Sequence, residues 1–142
     1  MGIDLETTAE RLQIINENLS FIRSTLPSTP NQLADNQLKL RAVKEALLVT
    51  IQASIDIGSH LIAVKNLRRP AGYEEIFEIL QEEKIIPSEI ATPLKDMARF
   101  RNRLVHVYHR ITVEEIFEVS QKSLNLFLQF ANSIKKSFSK EE

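Results

Sequence analysis

Apolar residues in this chain recur at steps of three and four, and nowhere do they alternate with the period of two that a half-buried strand requires. Leu12, Ile15, Leu19, Ile22 and Leu26 form a first stripe, which ends where Pro27 and Pro30 punctuate a segment holding Ser28, Thr29 and Asn31. A second long helix is expected from about Asp35 to Val64. Its stripe is Leu40, Val43, Leu47, Ile51, Ser54, Ile57 and Leu61, with Ala42, Ala46 and Ala53 permitting close approach. Arg68-Arg69-Pro70-Ala71-Gly72 is a break, and a short helix from Tyr73 to about Lys84 follows it. Ser88 can cap what comes after the turn at Ile86-Pro87. Thr92 followed by Pro93 has the form of a cap with proline at the first helical position, which predicts a fourth helix from near Pro93 to about His109. Thr112-Val113-Glu114-Glu115 has the form of a capping box and opens a last helix along Ile116, Val119, Ser123, Leu126, Phe127, Phe130 and Ile134. The expectation is an all-α bundle of four longer helices and one short one.

Composition narrows this further. A chain of 142 residues is expected to form a single domain over 1–142, with an ordered core of about 5–138. Its 3 glycines and 5 prolines are too few for a turn-rich sandwich or barrel. With no cysteine, disulfide and thiolate chemistry are excluded, which is compatible with a reducing cytoplasm. No apolar stretch is read as approaching the roughly 18 residues of a membrane span, so a soluble, cytoplasmic chain without a membrane partner is expected.

The formal net charge of −1 hides an asymmetry. Lys95, Arg99, Arg101, Arg103 and Arg110 face one acid, Asp96, so the segment from Lys95 to Arg110 carries +4 and the remainder −5. At about 100° per residue, Met97, Phe100, Leu104, Val107 and Ile111 fall on one core-facing arc. Arg101 and Tyr108 lie one above the other at its edge. Asn102, His106 and His109 cluster beyond Arg101, and Arg99, Arg103 and Arg110 form a separate basic ridge. One reading of these polar residues is a solvated helix face. The other is convergence on an anion.

Several chemistries find no support. None of the three histidines (His60, His106 and His109) follows a glutamate by three residues, as a carboxylate-bundle di-metal site would require, and no metal is expected. No glycine-rich phosphate loop and no nucleophile elbow are present, although a dispersed Ser–His–Asp arrangement stays open. Arginine and histidine beside a basic ridge suit a phosphodiester. A guanidinium binds nonbridging oxygens and stabilises transition-state charge, while an imidazole moves protons near neutrality. With a ribose 2′-hydroxyl as the attacking group, neither a cofactor nor a protein nucleophile is needed. One histidine does half of a two-proton reaction, so a symmetric homodimer would supply the other.

Arg101-Asn102-x-x-x-His106-x-Tyr108 resembles the Arg-x4-His-x-Tyr motif of HEPN-domain ribonuclease toxins, in particular the HepT branch found in HEPN–MNT toxin–antitoxin pairs. The stretches AVKEALLVTIQASIDIGSHLIA (42–63), AGYEEIFEIL (71–80) and FRNRLVHVYHRI (100–111) resemble that branch in the same order, from about residue 40 onward. The resemblance implies a HEPN-type bundle, homodimeric, with the two motifs sharing a cleft. It implies that Arg101 and His106 are the catalytic pair of a metal-independent endoribonuclease, with Asn102 in support. It further implies that an MNT-type nucleotidyltransferase antitoxin places AMP on Tyr108. Asp56 matches a polar position of the family; a structural pairing with an arginine is the other reading of it. Arg99, Arg103 and Arg110 become candidate RNA contacts. The alternative is a non-catalytic HEPN module that binds nucleotide or RNA or serves as a partner-binding subunit.

Overall fold

The structure, a computed structural model, describes residues 5–107 and 110–141, with side chains through residue 138. The described residues form helices only: α1 (Leu5–Thr25), α2 (Pro30–Ala34), α3 (Gln37–Val64), α4 (Tyr73–Glu82), α5 (Ser88–His106) and α6 (Val113–Glu141). The all-α expectation holds, with one extra element. The segment read as a simple stop after α1 contains the short α2. Thr29 caps it by accepting from the Gln32 amide at 3.3 Å, and the Gln32 carboxamide accepts in return from the Thr29 amide at 3.2 Å. Pro30 is its first residue and so loses no helical bond.

The start of α5 also differs from expectation. Pro93 lies inside that helix, and neither Thr92 nor Ser88 caps it; the cap position is Pro87, and the Ser88 hydroxyl donates to Glu89 Oε1 at 3.1 Å. A proline here removes one bond to the carbonyl four residues earlier. The helix nevertheless extends back to Ser88 because Ile90, Ala91 and Leu94 are buried, and apolar burial of this kind outweighs a local backbone preference.

Helix α3 lies against each of the other five helices. Its expected stripe is buried throughout, from Leu40 to Leu61. The two small polar members of the α3 and α6 stripes are satisfied within their own helices: Ser54 Oγ donates to the Ile51 carbonyl at 2.7 Å and Ser123 Oγ to that of Ser120 at 2.7 Å. One sequence expectation needs correction at this helix. Part of α3 is long and apolar enough to cross a membrane, with a mean hydropathy of 1.6, and 56% of that window is buried inside the bundle. Its apolar character is used in packing five neighbours.

Two non-glycine residues hold left-handed backbone at helix ends, Asn66 after α3 (φ 57°) and Lys84 after α4 (φ 59°). Backbone bonds from Leu67 to the Ile62 carbonyl and from Ile85 to that of Leu80, both 2.9 Å, close these ends in the manner of a Schellman turn. The link between α3 and α4 is tied back by Arg68, which donates from Nη1 to Glu75 at 2.8 Å and from Nη2 to Glu82 at 2.7 Å.

Gly58 sets how closely α4 approaches α3. A Cβ at that position would stand 2.5 Å from Cγ2 of Ile76. That methyl sits on a β-branched side chain with little rotamer freedom, so α4 itself would have to move. Gly58→Val is expected to destabilise the fold by about 1–3 kcal/mol, as overpacking of a filled core does. Urea denaturation reads this directly, and a variant as stable as the parent would show that the α3–α4 contact is loose.

Candidate functional site

Arg101, Asn102 and Asp56 lie where the C-terminal half of α5 meets the middle of α3. Leu104 is buried and Phe100 and Met97 are 5% exposed, so the part of the core-facing arc that lies on α5 is as the wheel placed it, whereas Ile111 lies beyond the helix and is half-buried. Val107, at the C-cap of α5, is only half-buried. This orientation leaves Asn102, Arg103 and His106 exposed and Arg101 half-buried at the edge of the core. His106 is the last residue of α5. A step of five residues turns about 140° and rises about 7.5 Å, so Arg101 and His106 leave the helix in different directions. Asn102, one turn before His106, stands between them.

The basic residues divide into two kinds. Arg99 is paired with both Glu74 and Asp96, and Arg103 grips Glu115 with two nitrogens, one of them at 3.0 Å. Lys95 lies 3.9 Å from Glu78. The hydrogen bond from Arg103 holds the Glu115 carboxyl below the usual carboxylate range against a smaller desolvation effect, and the Thr112 backbone amide adds to this. Glu115 thereby joins its capping-box position to the end of α5, while its own amide donates to the Thr112 hydroxyl at 3.1 Å. Two of the expected RNA contacts, Arg99 and Arg103, thus already carry intramolecular partners.

Arg101 is held differently. Its Nε donates to Gln52 Oε1 at 3.0 Å and its Nη1 to Asn102 Oδ1 at 3.2 Å. Its guanidinium carbon stands 5.1 Å from the centre of the Tyr73 ring, a cation–π distance. Nη2 has no hydrogen-bond partner among the described residues. The guanidinium is therefore held by neutral groups at Nε, at Nη1 and on one face, with donors left over. Behind it, Gln52 Nε2 donates to Asp56 Oδ1 at 2.9 Å, and Asp56 Oδ2 lies 3.6 Å from Arg11 Nε on α1.

Among the site residues expected from sequence, the structure joins Arg101, Asn102 and, through Gln52, Asp56. Asp56 is not deeply buried, its side chain being 41% exposed, and it is paired with Arg11. Arg110 is exposed. Tyr108 lies outside the described residues. Among the described residues, no three His, Asp or Glu side chains gather as a metal-ligand group. Sequence reasoning missed Gln52 and Tyr73. Gln52 was visible as a polar interruption of an apolar helix, four residues before Asp56; Tyr73 carried no signal beyond its place at a helix start.

The fold and this edge of α5 define a HEPN-type helical bundle. A family model described as "Ribonuclease HepT-like" matches residues 15–134, and the chain belongs to that family. It is 31% identical over 84 residues to a Shewanella oneidensis protein named "mRNA nuclease HepT", a match covering 59% of this chain and 63% of that protein's length. The fold is similar to that of a cytosolic protein of unknown function, YutE from Bacillus subtilis, with a TM-score of 0.87 at 20% identity over 99% of this chain and 95% of that one. It is also similar to a tri-AMPylated Shewanella oneidensis HEPN toxin solved in complex with an MNT antitoxin, with a TM-score of 0.83 at 24% identity over 92% and 97% of the respective chains.

Proposed function

We propose that this chain is a cytoplasmic, metal-independent endoribonuclease and the toxin of a toxin–antitoxin pair. The observation that carries the proposal is the state of Arg101. Lys95, Arg99 and Arg103 have carboxylate partners, whereas Arg101 is oriented by two amides and a ring and keeps Nη2 unengaged among the described residues. A cation held in place without neutralisation is prepared for an incoming anion. The family membership and the relative named as an mRNA nuclease support RNA as the source of that anion.

In the proposed reaction the 2′-hydroxyl attacks the adjacent phosphorus while the bond to the 5′-oxygen breaks. One His106 accepts the 2′ proton and a second His106, from the other copy of a homodimer, donates a proton to the departing 5′-oxygen. The products are a 2′,3′-cyclic phosphate and a free 5′-hydroxyl. Arg101 binds the nonbridging oxygens as their charge grows, and Asn102 holds Arg101 on the side nearer His106. An MNT-type nucleotidyltransferase antitoxin would silence the site by placing AMP on Tyr108, which adds an anion that competes with RNA for Arg101. The tri-AMPylated relative in complex with an MNT antitoxin supports this part.

The purified protein is expected to cleave RNA with a metal chelator present, and Arg101→Ala to lower the rate about 10²–10³-fold, the usual loss for one transition-state donor. A parent protein that leaves RNA intact overturns the nuclease assignment, and an Arg101→Ala variant that cuts as fast removes Arg101 from the reaction. Salt-sensitive RNA binding without cleavage would instead identify a non-catalytic RNA-binding module. The antitoxin part is tested by co-expression with a nucleotidyltransferase partner and intact-mass measurement. An unchanged mass counts against modification of Tyr108.

A further inference from the structure

The chain of contacts Arg101–Gln52–Asp56–Arg11 runs from the candidate site across α3 to α1, and its chemistry is ordered. A guanidinium only donates hydrogen bonds and a carboxylate only accepts them. The residue between the two must therefore present an acceptor to one and a donor to the other. Gln52 does this, with Oε1 toward Arg101 at 3.0 Å and Nε2 toward Asp56 at 2.9 Å. Its amide cannot turn over without setting nitrogen against the Nε–H of Arg101 and oxygen against a carboxylate. Asp56 is itself restrained by Arg11 at 3.6 Å. Both hydrogen bonds of Gln52 are partly buried, where competition from water is reduced.

We infer that Gln52 is a positioning residue for Arg101, its amide locked by Asp56, so that the guanidinium plane is fixed and its Nη2 donors stay available to a phosphate. The inference deepens the nuclease reading and rests on it for its catalytic consequence. The orientation itself can be tested without any activity. Gln52 works together with Tyr73, whose ring faces the guanidinium 5.1 Å from its carbon. The two act in different directions: the amide fixes rotation in the plane, and the ring limits tilt out of it. Glutamate in place of Gln52 would accept from Arg101 equally well. It would also face the Asp56 carboxylate and pair with the charge that the phosphate needs.

The test uses the full chain and the variant Gln52→Met, similar in length and apolar. By NMR, hydrogen exchange at Arg101 Nε is expected to be slow in the parent and faster in Gln52→Met. It should stay slow in Asp56→Asn, which keeps an acceptor for the Gln52 amide, and speed up in Asp56→Leu, which does not. With RNA as substrate, Gln52→Met is expected to lower kcat about tenfold with KM within about twofold, since a guanidinium no longer held in its plane loses part of its bonding to the charge that grows in the transition state. In an Arg101→Ala background the same substitution should change nothing further. Equal Nε exchange in parent and Gln52→Met overturns the inference, as does an undiminished kcat in a variant from an active parent. Slow Nε exchange in a parent that cuts no RNA overturns the nuclease reading and leaves the orientation of Arg101 by Gln52 supported.

Discussion

His106→Ala is expected to slow RNA cleavage by the purified protein about 10²–10⁴-fold, the usual contribution of a positioned general acid or base, while leaving the stability of the fold nearly unchanged. The two halves of this expectation come from the same geometry. His106 is exposed on the last turn of α5, so truncating it opens no cavity, and surface changes of this type usually fall within about 0.5 kcal/mol. An imidazole at a helix terminus is also free to reach beyond its own helix, which the proposed two-proton reaction demands of it. In a two-fold dimer each His106→Ala copy removes both an acid and a base, one from each cleavage geometry. Initial rates on a defined RNA, set against a thermal melt of the same preparations, read both quantities. A rate loss accompanied by a large fall in melting temperature would assign His106 a structural role. A full rate with an unchanged melt would remove it from the reaction.

Arg101 and His106 differ in what holds them. Arg101→Lys keeps a positive charge but loses the planar donors that Gln52 and Asn102 hold in register. The guanidinium is thus a geometric element as well as a charge. His106 stands at its helix end, and in the proposed reaction it takes its complement from a second copy.

Much of the fold was legible because the apolar spacing is redundant. Each of the long stripes repeats over several turns, and the residues named from Leu40 to Leu61 are buried as their period requires. Ends of elements were less legible. Thr92-Pro93 is locally a helix start, yet Ile90 and Ala91 bury enough apolar surface to carry α5 back to Ser88. Thr29-Pro30 was read as a stop because a five-residue helix is too short to show a period. At the site, positions on α5 were readable from one helix wheel. Their partners were not. Glu74 and Glu115 reach Arg99 and Arg103 from other helices, and Gln52 reaches Arg101 across 49 positions of sequence. A charge count along one helix registers a basic ridge; only tertiary packing decides which of its cations are already neutralised.

Phe77→Ala is expected to destabilise the protein by about 3–5 kcal/mol, the range for removing a fully buried ring. Phe77 is 0% exposed on α4 and meets Phe130 of α6 edge to face, with ring centres 6.1 Å apart and planes at 78°. Such a pair adds about 0.5–1.5 kcal/mol beyond its buried area. Set against a typical stability of about 5–15 kcal/mol, this single loss would leave a large fraction of chains unfolded under mild denaturant. The site would be affected before global unfolding, because α4 supplies Tyr73 against Arg101 and Glu74 against Arg99. Phe77→Leu keeps most of the volume and is expected to lose about 1–2 kcal/mol. Urea midpoints of the three proteins order them parent, Leu, Ala. If the alanine variant lost under about 1 kcal/mol, α4 would be a loosely docked element, and Tyr73 could not be relied on to hold the Arg101 guanidinium in its plane.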